Sequence, residues 1–219
     1  MRLRHARHHI ELHQLSQRRG PALLFLHQMF GSSADGEPLT AAWEGSVYAL
    51  DFPGHGRSEW LPGGAYYPEY FAASADIALQ QIGTAVVAGA GVGAYVALLL
   101  AGGRPDLIPA ALLLPGVGLA GGGVAPDPSQ PLPDFATWSR IKTNGSDPLV
   151  TGMEMFPRPP DFTQRFAAAA RRVLLAEDGS ARPPWWEEAR TSPSAVAVSG
   201  SVGEMLAVLA AHGDHDAAG

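Results

Sequence analysis

Acid–base or nucleophilic chemistry has few places to sit in this chain. Cysteine is absent, and the histidines fall in three groups: His5, His8, His9 and His13 near the start, His27 and His55 in the first third, and His212 and His215 at the end. The carboxylates at ends of apolar runs are Asp51, Glu177 and Asp178, and the serines in comparable places are Ser32, Ser33, Ser58, Ser180 and Ser201. All of these must be placed by one stretch, Ala85 to Leu100, in which Gly89, Gly91 and Gly93 separate a β-branched run from a long apolar one. Alternate glycines let a chain reverse where side chains would clash, so the stretch predicts a buried strand over Thr84–Ala88, a tight turn, and a buried helix from Val92 to Ala101. A strand–glycine turn–helix serves two chemistries. As G-x-G-x-x-G/A it cradles a pyrophosphate, and Gly89, Gly91 and Ala94 satisfy that pattern. As G-x-S-x-G it raises a nucleophile at its centre; Gly89 and Gly93 satisfy the flanks, and Gly91 stands where the serine would be.

The elements around the turn separate the two. A polar–apolar alternation over His9–Leu15 predicts an edge strand with one wet face, and Ala22–Leu26 a buried strand followed by a loop. A helix is expected over 35–43, a strand over Ser46–Leu50, a helix over 66–82, and a strand over Ala110–Leu114 stopped by Pro115 and Gly116. Residues 115–134 read as loop, and short helices follow up to 171. Arg172–Ala176 and Ala195–Val198 read as strands, Pro184–Arg190 and Val202–Ala211 as helices, and 212–219 as a frayed tail. Strands alternating with helices predict an α/β fold with a mostly parallel sheet covered on both faces. A dinucleotide fold wants the glycine turn after the first strand and an acidic residue closing the next. Here at least two strands come first, and the next strand ends in Leu114-Pro115.

With these strands in place the chain resembles the α/β-hydrolase superfamily over most of its length. Leu24 to Gly31 looks like the strand and H-G-x-x-G-type oxyanion loop of that family, with Gln28 replacing the first glycine. Asp51-Phe52-Pro53-Gly54-His55-Gly56-Arg57-Ser58 matches the D-x-x-G-x-G-x-S turn, and the elbow follows about thirty residues later. The resemblance implies one domain over 1–219 with a small lid at 115–171. It also implies a serine, a histidine and a carboxylate acting together, and the aligned positions read otherwise. The nucleophile position is Gly91, the acid position overlays on Ser180 with Asp178 and Glu177 as neighbours, and the histidine position is Ser201. Glycine also relieves the strain that an elbow imposes on any residue with a Cβ.

For the remaining candidates the structural roles are expected. His27 acts as a buried hydrogen-bonder, His55 and Ser58 brace the turn, Asp51 caps it, and Ser32 and Ser33 cap the following helix. The histidines of the first strand have no carboxylate pattern joining them and read as a solvated strand, with no metal. Trp185 and Trp186 are expected to cover the sheet edge. Phe135, Trp138, Met153, Met155, Phe156 and Phe162 give the lid apolar faces that either roof a pocket or pack on the sheet.

The chain has 219 residues, 46% hydrophobic and 16% charged, with a formal net charge of −6. That describes a globular protein and does not favour nucleic acid or an anionic membrane as partner. No signal-peptide core or membrane-length apolar run is present, so a cytoplasmic location is the expectation, with the oligomeric state open. No disulfide and no cofactor is called for. Two functional readings follow. In the first, a pseudoenzyme with a degenerate nucleophile elbow binds a small apolar or carbonyl-containing ligand, or a protein partner, near Gln28, Met29, Gly91 and Val92. In the second, a hydrolase or lyase-type enzyme acts on a small ester or carbonyl substrate without a serine nucleophile, resting on His27, Asp178 or His212.

Overall fold

A computed structural model describes residues 1–121 and 145–213. Phe135, Trp138, His215 and the middle of the expected lid lie outside the described residues. Eight strands form one sheet: β1 (Arg2–His5), β2 (His8–Ser16), β3 (Ala22–Leu26), β4 (Val47–Asp51), β5 (Ala85–Ala90), β6 (Ala111–Leu114), β7 (Val173–Ala176) and β8 (Ala195–Val198). Their order is β1-β2-β4-β3-β5-β6-β7-β8. The first two pairings are antiparallel and the rest parallel. The central strands read Leu-Leu-Phe-Leu, Val-Val-Ala and Leu-Leu-Leu because both of their faces are covered.

Six α-helices lie among the described residues: α1 (Leu39–Ala42), α2 (Pro68–Ile82), α3 (Val92–Gly103), α4 (Pro160–Ala169), α5 (Pro184–Arg190) and α6 (Val202–Gly213). α2 to α5 join the larger core on one face of the sheet, and α1 and α6 pack on the other face. α3 is buried from Val92 to Ala101, which is why its sequence is apolar all round and shows no polar stripe.

Three expectations are corrected. The edge strand is β1, not β2: Ala6, at a φ of 53°, turns the chain back so that Arg2–His5 pairs with His8–Glu11, and β2 lies inside. The helix expected over 35–43 is a 3₁₀ turn, Ser33–Gly36, followed by the single turn of α1. Gly36 disfavours helix, and Pro38 has no N–H to continue one. β5 runs two residues past Ala88, because Gly89 and Ala90 still pair with Leu113 and Leu114.

Candidate functional site

The turn between β5 and α3 is a single residue. Gly91 has φ 57° and ψ −123°, left-handed backbone that glycine adopts without a Cβ penalty. Space forbids a side chain there as well. A Cβ on Gly91 would collide with the Val117 carbonyl oxygen and stand 2.9 Å from both Gln28 Cβ and the Gly116 carbonyl carbon.

That carbonyl belongs to a strap, residues 115–121, laid across the elbow from the end of β6. The Val117 oxygen accepts from the backbone N–H groups of Met29 at 3.2 Å and Val92 at 3.1 Å. Both amides thus converge on the chain's own carbonyl. On the strap's other side the Val117 N–H donates to Gln28 Oε1 at 2.9 Å. Further along, the Leu119 oxygen accepts from Trp185 Nε1 at 2.8 Å and from Arg158 Nη1. The approach is close enough that a Cβ on Gly116 would sit 2.8 Å from Gln28 Oε1 and 2.9 Å from the Gly91 nitrogen. The Val117 side chain is half exposed, so the residue turns its polar backbone inward and its apolar part outward. Arg158 is itself buried, stacks over the Tyr95 ring at 5.1 Å, and has its pKa pulled down to about 10 by desolvation.

Beneath the strap the loops after β3 and β4 are braced by neutral histidines. His27 is fully buried; its Nδ1 donates to the Gln28 carbonyl at 2.7 Å and its Nε2 accepts from the Phe52 N–H at 3.0 Å. His55, also fully buried, accepts from the Phe30 N–H at 3.2 Å and donates to the Pro53 carbonyl at 3.1 Å. Each ring therefore carries its proton on Nδ1 and has both nitrogens engaged. Burial holds both pKa values below the ordinary 6.5, that of His55 at about 3. Asp51 accepts from the backbone N–H groups of Ser33 (2.6 Å) and Arg57 (2.9 Å), and from His13 Nε2 at 2.9 Å. Burial opposes its ionisation, yet these donors keep its pKa below the ordinary value. Ser58 donates to the Asp51 carbonyl and accepts from the Glu11 N–H.

The remaining candidates lie elsewhere. Ser180 donates through both its N–H and its Oγ to Asp178 Oδ1. Ser201 caps α6 in a reciprocal pair with Glu204. His212 stands in the last turn of α6, about 15 Å of helix from Val202. Trp185 and Trp186 are buried in the core under α3, with Trp185 edge-on to Tyr95. Met153 is buried, whereas Met155 and Phe156 are exposed. Among the described residues no group of three or more His, Asp or Glu is placed to hold a metal ion, and no helix is long and apolar enough to cross a membrane.

A cleft of about 450 Å³ opens beside the strap, on the α1 and α6 face. Its floor is Phe25, Ala90, Leu114 and Ala176 at the carboxyl ends of β3, β5, β6 and β7, and its walls include Leu39 of α1 and Met205 of α6. Of Gln28, Met29, Gly91 and Val92, only Gln28 lines it. The sequence held one signal for the strap: the alternating glycines of Pro115-Gly116-Val117-Gly118, directly after a buried strand, mark a close backbone approach.

No family model and no curated protein matches the chain. Solved structures do. The thioesterase domain from the curacin biosynthetic pathway is 18% identical, with a TM-score of 0.70 over 96% of this chain and 98% of that one. An α/β hydrolase from Sphaerobacter thermophilus is 20% identical, with a TM-score of 0.65 over 97% and 99%. A deformylase from Pseudomonas putida is 16% identical, with a TM-score of 0.69 over 95% and 99%. The fold common to them and to this chain is the α/β-hydrolase fold.

Proposed function

We propose that this chain is a non-catalytic member of its fold that holds a small, mostly apolar ligand in the cleft between α1 and α6. One observation carries the reading: the Val117 carbonyl occupies the Met29 and Val92 amide pair, beside a glycine at the nucleophile position. A substrate carbonyl would have to displace a hydrogen-bonded main-chain group and would then meet no nucleophile. Catalysis by His27 finds no support, because both of its ring nitrogens are engaged. The neighbouring thioesterase and deformylase lend the fold, and fold does not carry activity. The cleft supports the binding half of the reading: it is concave, mostly apolar, and within the ~300–1,000 Å³ usual for small-molecule sites.

The test is a panel of short p-nitrophenyl esters and a fluorophosphonate probe, run on the unmodified protein and on Gly91→Ser. Neither turnover nor labelling is expected from either protein. Turnover by the unmodified protein that is lost on changing His27, Asp178 or His212 would overturn the reading in favour of an enzyme without a serine nucleophile.

A further inference from the structure

Within that reading, on which this inference rests, the charges around the cleft decide what kind of ligand fits. Among the described residues, the lining includes three carboxylates, Asp35, Glu177 and Asp178, and no lysine, arginine or histidine. Two arginines stand behind the rim. Arg182 donates to Asp178 Oδ1 at 2.8 Å, and Arg190 lies 3.9 Å from Glu177 Oε1, beyond hydrogen-bond distance. Among the described residues, two cations against three carboxylates leave the rim with an excess of negative charge.

The geometry of Asp178 is specific. Among the described residues, its hydrogen bonds fall on Oδ1, from the Ser180 N–H, the Ser180 hydroxyl and Arg182. These donors keep the carboxyl ionised, with a pKa of about 2, on a half-exposed side chain. The group is therefore a fixed anion with its second oxygen available. The N-terminus of α6 also borders the cleft, and its dipole would disfavour a cation. Glu204 offsets that end, accepting from the Ser201 N–H at 2.7 Å and its hydroxyl at 2.8 Å.

We infer that the cleft takes a small organic cation, a protonated amine or amidine on an apolar body, with the apolar part against Phe25, Leu39, Leu114 and Met205 and the charge at Asp178. A neutral apolar ligand would cover carboxylates and return nothing for the water they lose. An anion would add repulsion. A cation both fills the apolar floor and replaces that water with an ionic hydrogen bond.

The test compares three probes of one chain length, octylammonium, octanol and octanoate, by titration calorimetry on the unmodified protein at moderate salt. Octylammonium is expected to bind at least tenfold more tightly than either of the others. Asp178→Asn should remove most of that preference by weakening octylammonium while octanol binds no more weakly, and Met205→Trp, which fills the cleft, should weaken all three. Equal or tighter binding of octanol or octanoate would overturn the cation inference and leave the ligand cleft standing. Absence of binding by all three would take down both. Octylammonium binding that persists unchanged in Met205→Trp would place it on the acidic surface and overturn the inference.

Discussion

Two spaces lie side by side at the carboxyl ends of β3, β5 and β6, and the chain treats them oppositely. Over the elbow, the main-chain polar groups of the strap are answered from within: Val117 satisfies Met29 and Val92, Gln28 satisfies Val117, and Trp185 and Arg158 hold Leu119. Beside it, the cleft between α1 and α6 keeps an apolar floor and, among the described residues, a Glu177 Oε1 with no hydrogen-bond donor. The loop after β6 makes both, since Leu114 and Pro115 wall the cleft just before Gly116 and Val117 cross the elbow. Closing one site and leaving its neighbour open is a local matter of where one carbonyl points.

The closed side rests on histidines kept neutral by burial, which gives the largest expected effect. Unfolded, His27 and His55 titrate near 6.5; folded, both are lower, His55 at about 3. Between those values the unfolded state binds more protons, so the stability is full above pH 6.5 and is lost as pH falls toward 3. Each histidine contributes at most about 1.4 kcal/mol per pH unit, and His55 alone on the order of 5 kcal/mol across its window. Urea unfolding at a series of pH values measures this, and His55→Gln should flatten the slope. A flat profile for the unmodified protein would mean that water reaches these rings and that the closed side is not closed.

Gly91→Ala comes next. A Cβ at positive φ against the Val117 oxygen is expected to cost roughly 3 kcal/mol, read as a lower urea midpoint at unchanged slope. Unchanged stability would show that the strap leaves the elbow easily, and the contrast between the two spaces would weaken. The smallest effect is expected from Gln28→Ala, which removes the acceptor of the Val117 N–H at a cost of about 1 kcal/mol. Hydrogen exchange at Val117 should quicken while the strand amides of β5 stay protected. Unchanged exchange at Val117 would assign the strap's hold to Arg158 and Trp185.

Much of the fold was legible because its signals are local. Alternation, β-branched runs and glycine–proline turns placed the strands and most of the helices, and the Asp51–Ser58 turn announced its own geometry. One error fell where tertiary pairing overrides local pattern, since β2 alternates like an edge strand yet β1 covers it; another, the helix over 35–43, overlooked the local signals of Gly36 and Pro38. Within the candidate site, Gly91, Ser180 and Ser201 were readable at the positions the resemblance aligns, and Met29 and Val92 were named among the residues near a ligand. The occupant of that pair was not. Val117 is twenty-six residues downstream of Gly91, and it acts through a backbone carbonyl that every residue type carries.

The order of residues by itself determined the alternation of strands and helices, a tight glycine turn between Ala88 and Val92, and the lack of a serine and a histidine at the positions that the resemblance aligns. Those are properties of side chains, or of their absence, and the sequence states them directly. Only the tertiary structure decided that the Met29 and Val92 amides are filled by Val117 and that the open space lies between α1 and α6. Main-chain hydrogen bonds carry no residue label, and a cleft is the volume left between elements: here a helix stopped at one turn after Gly36 and Pro38, and a second that starts at Val202.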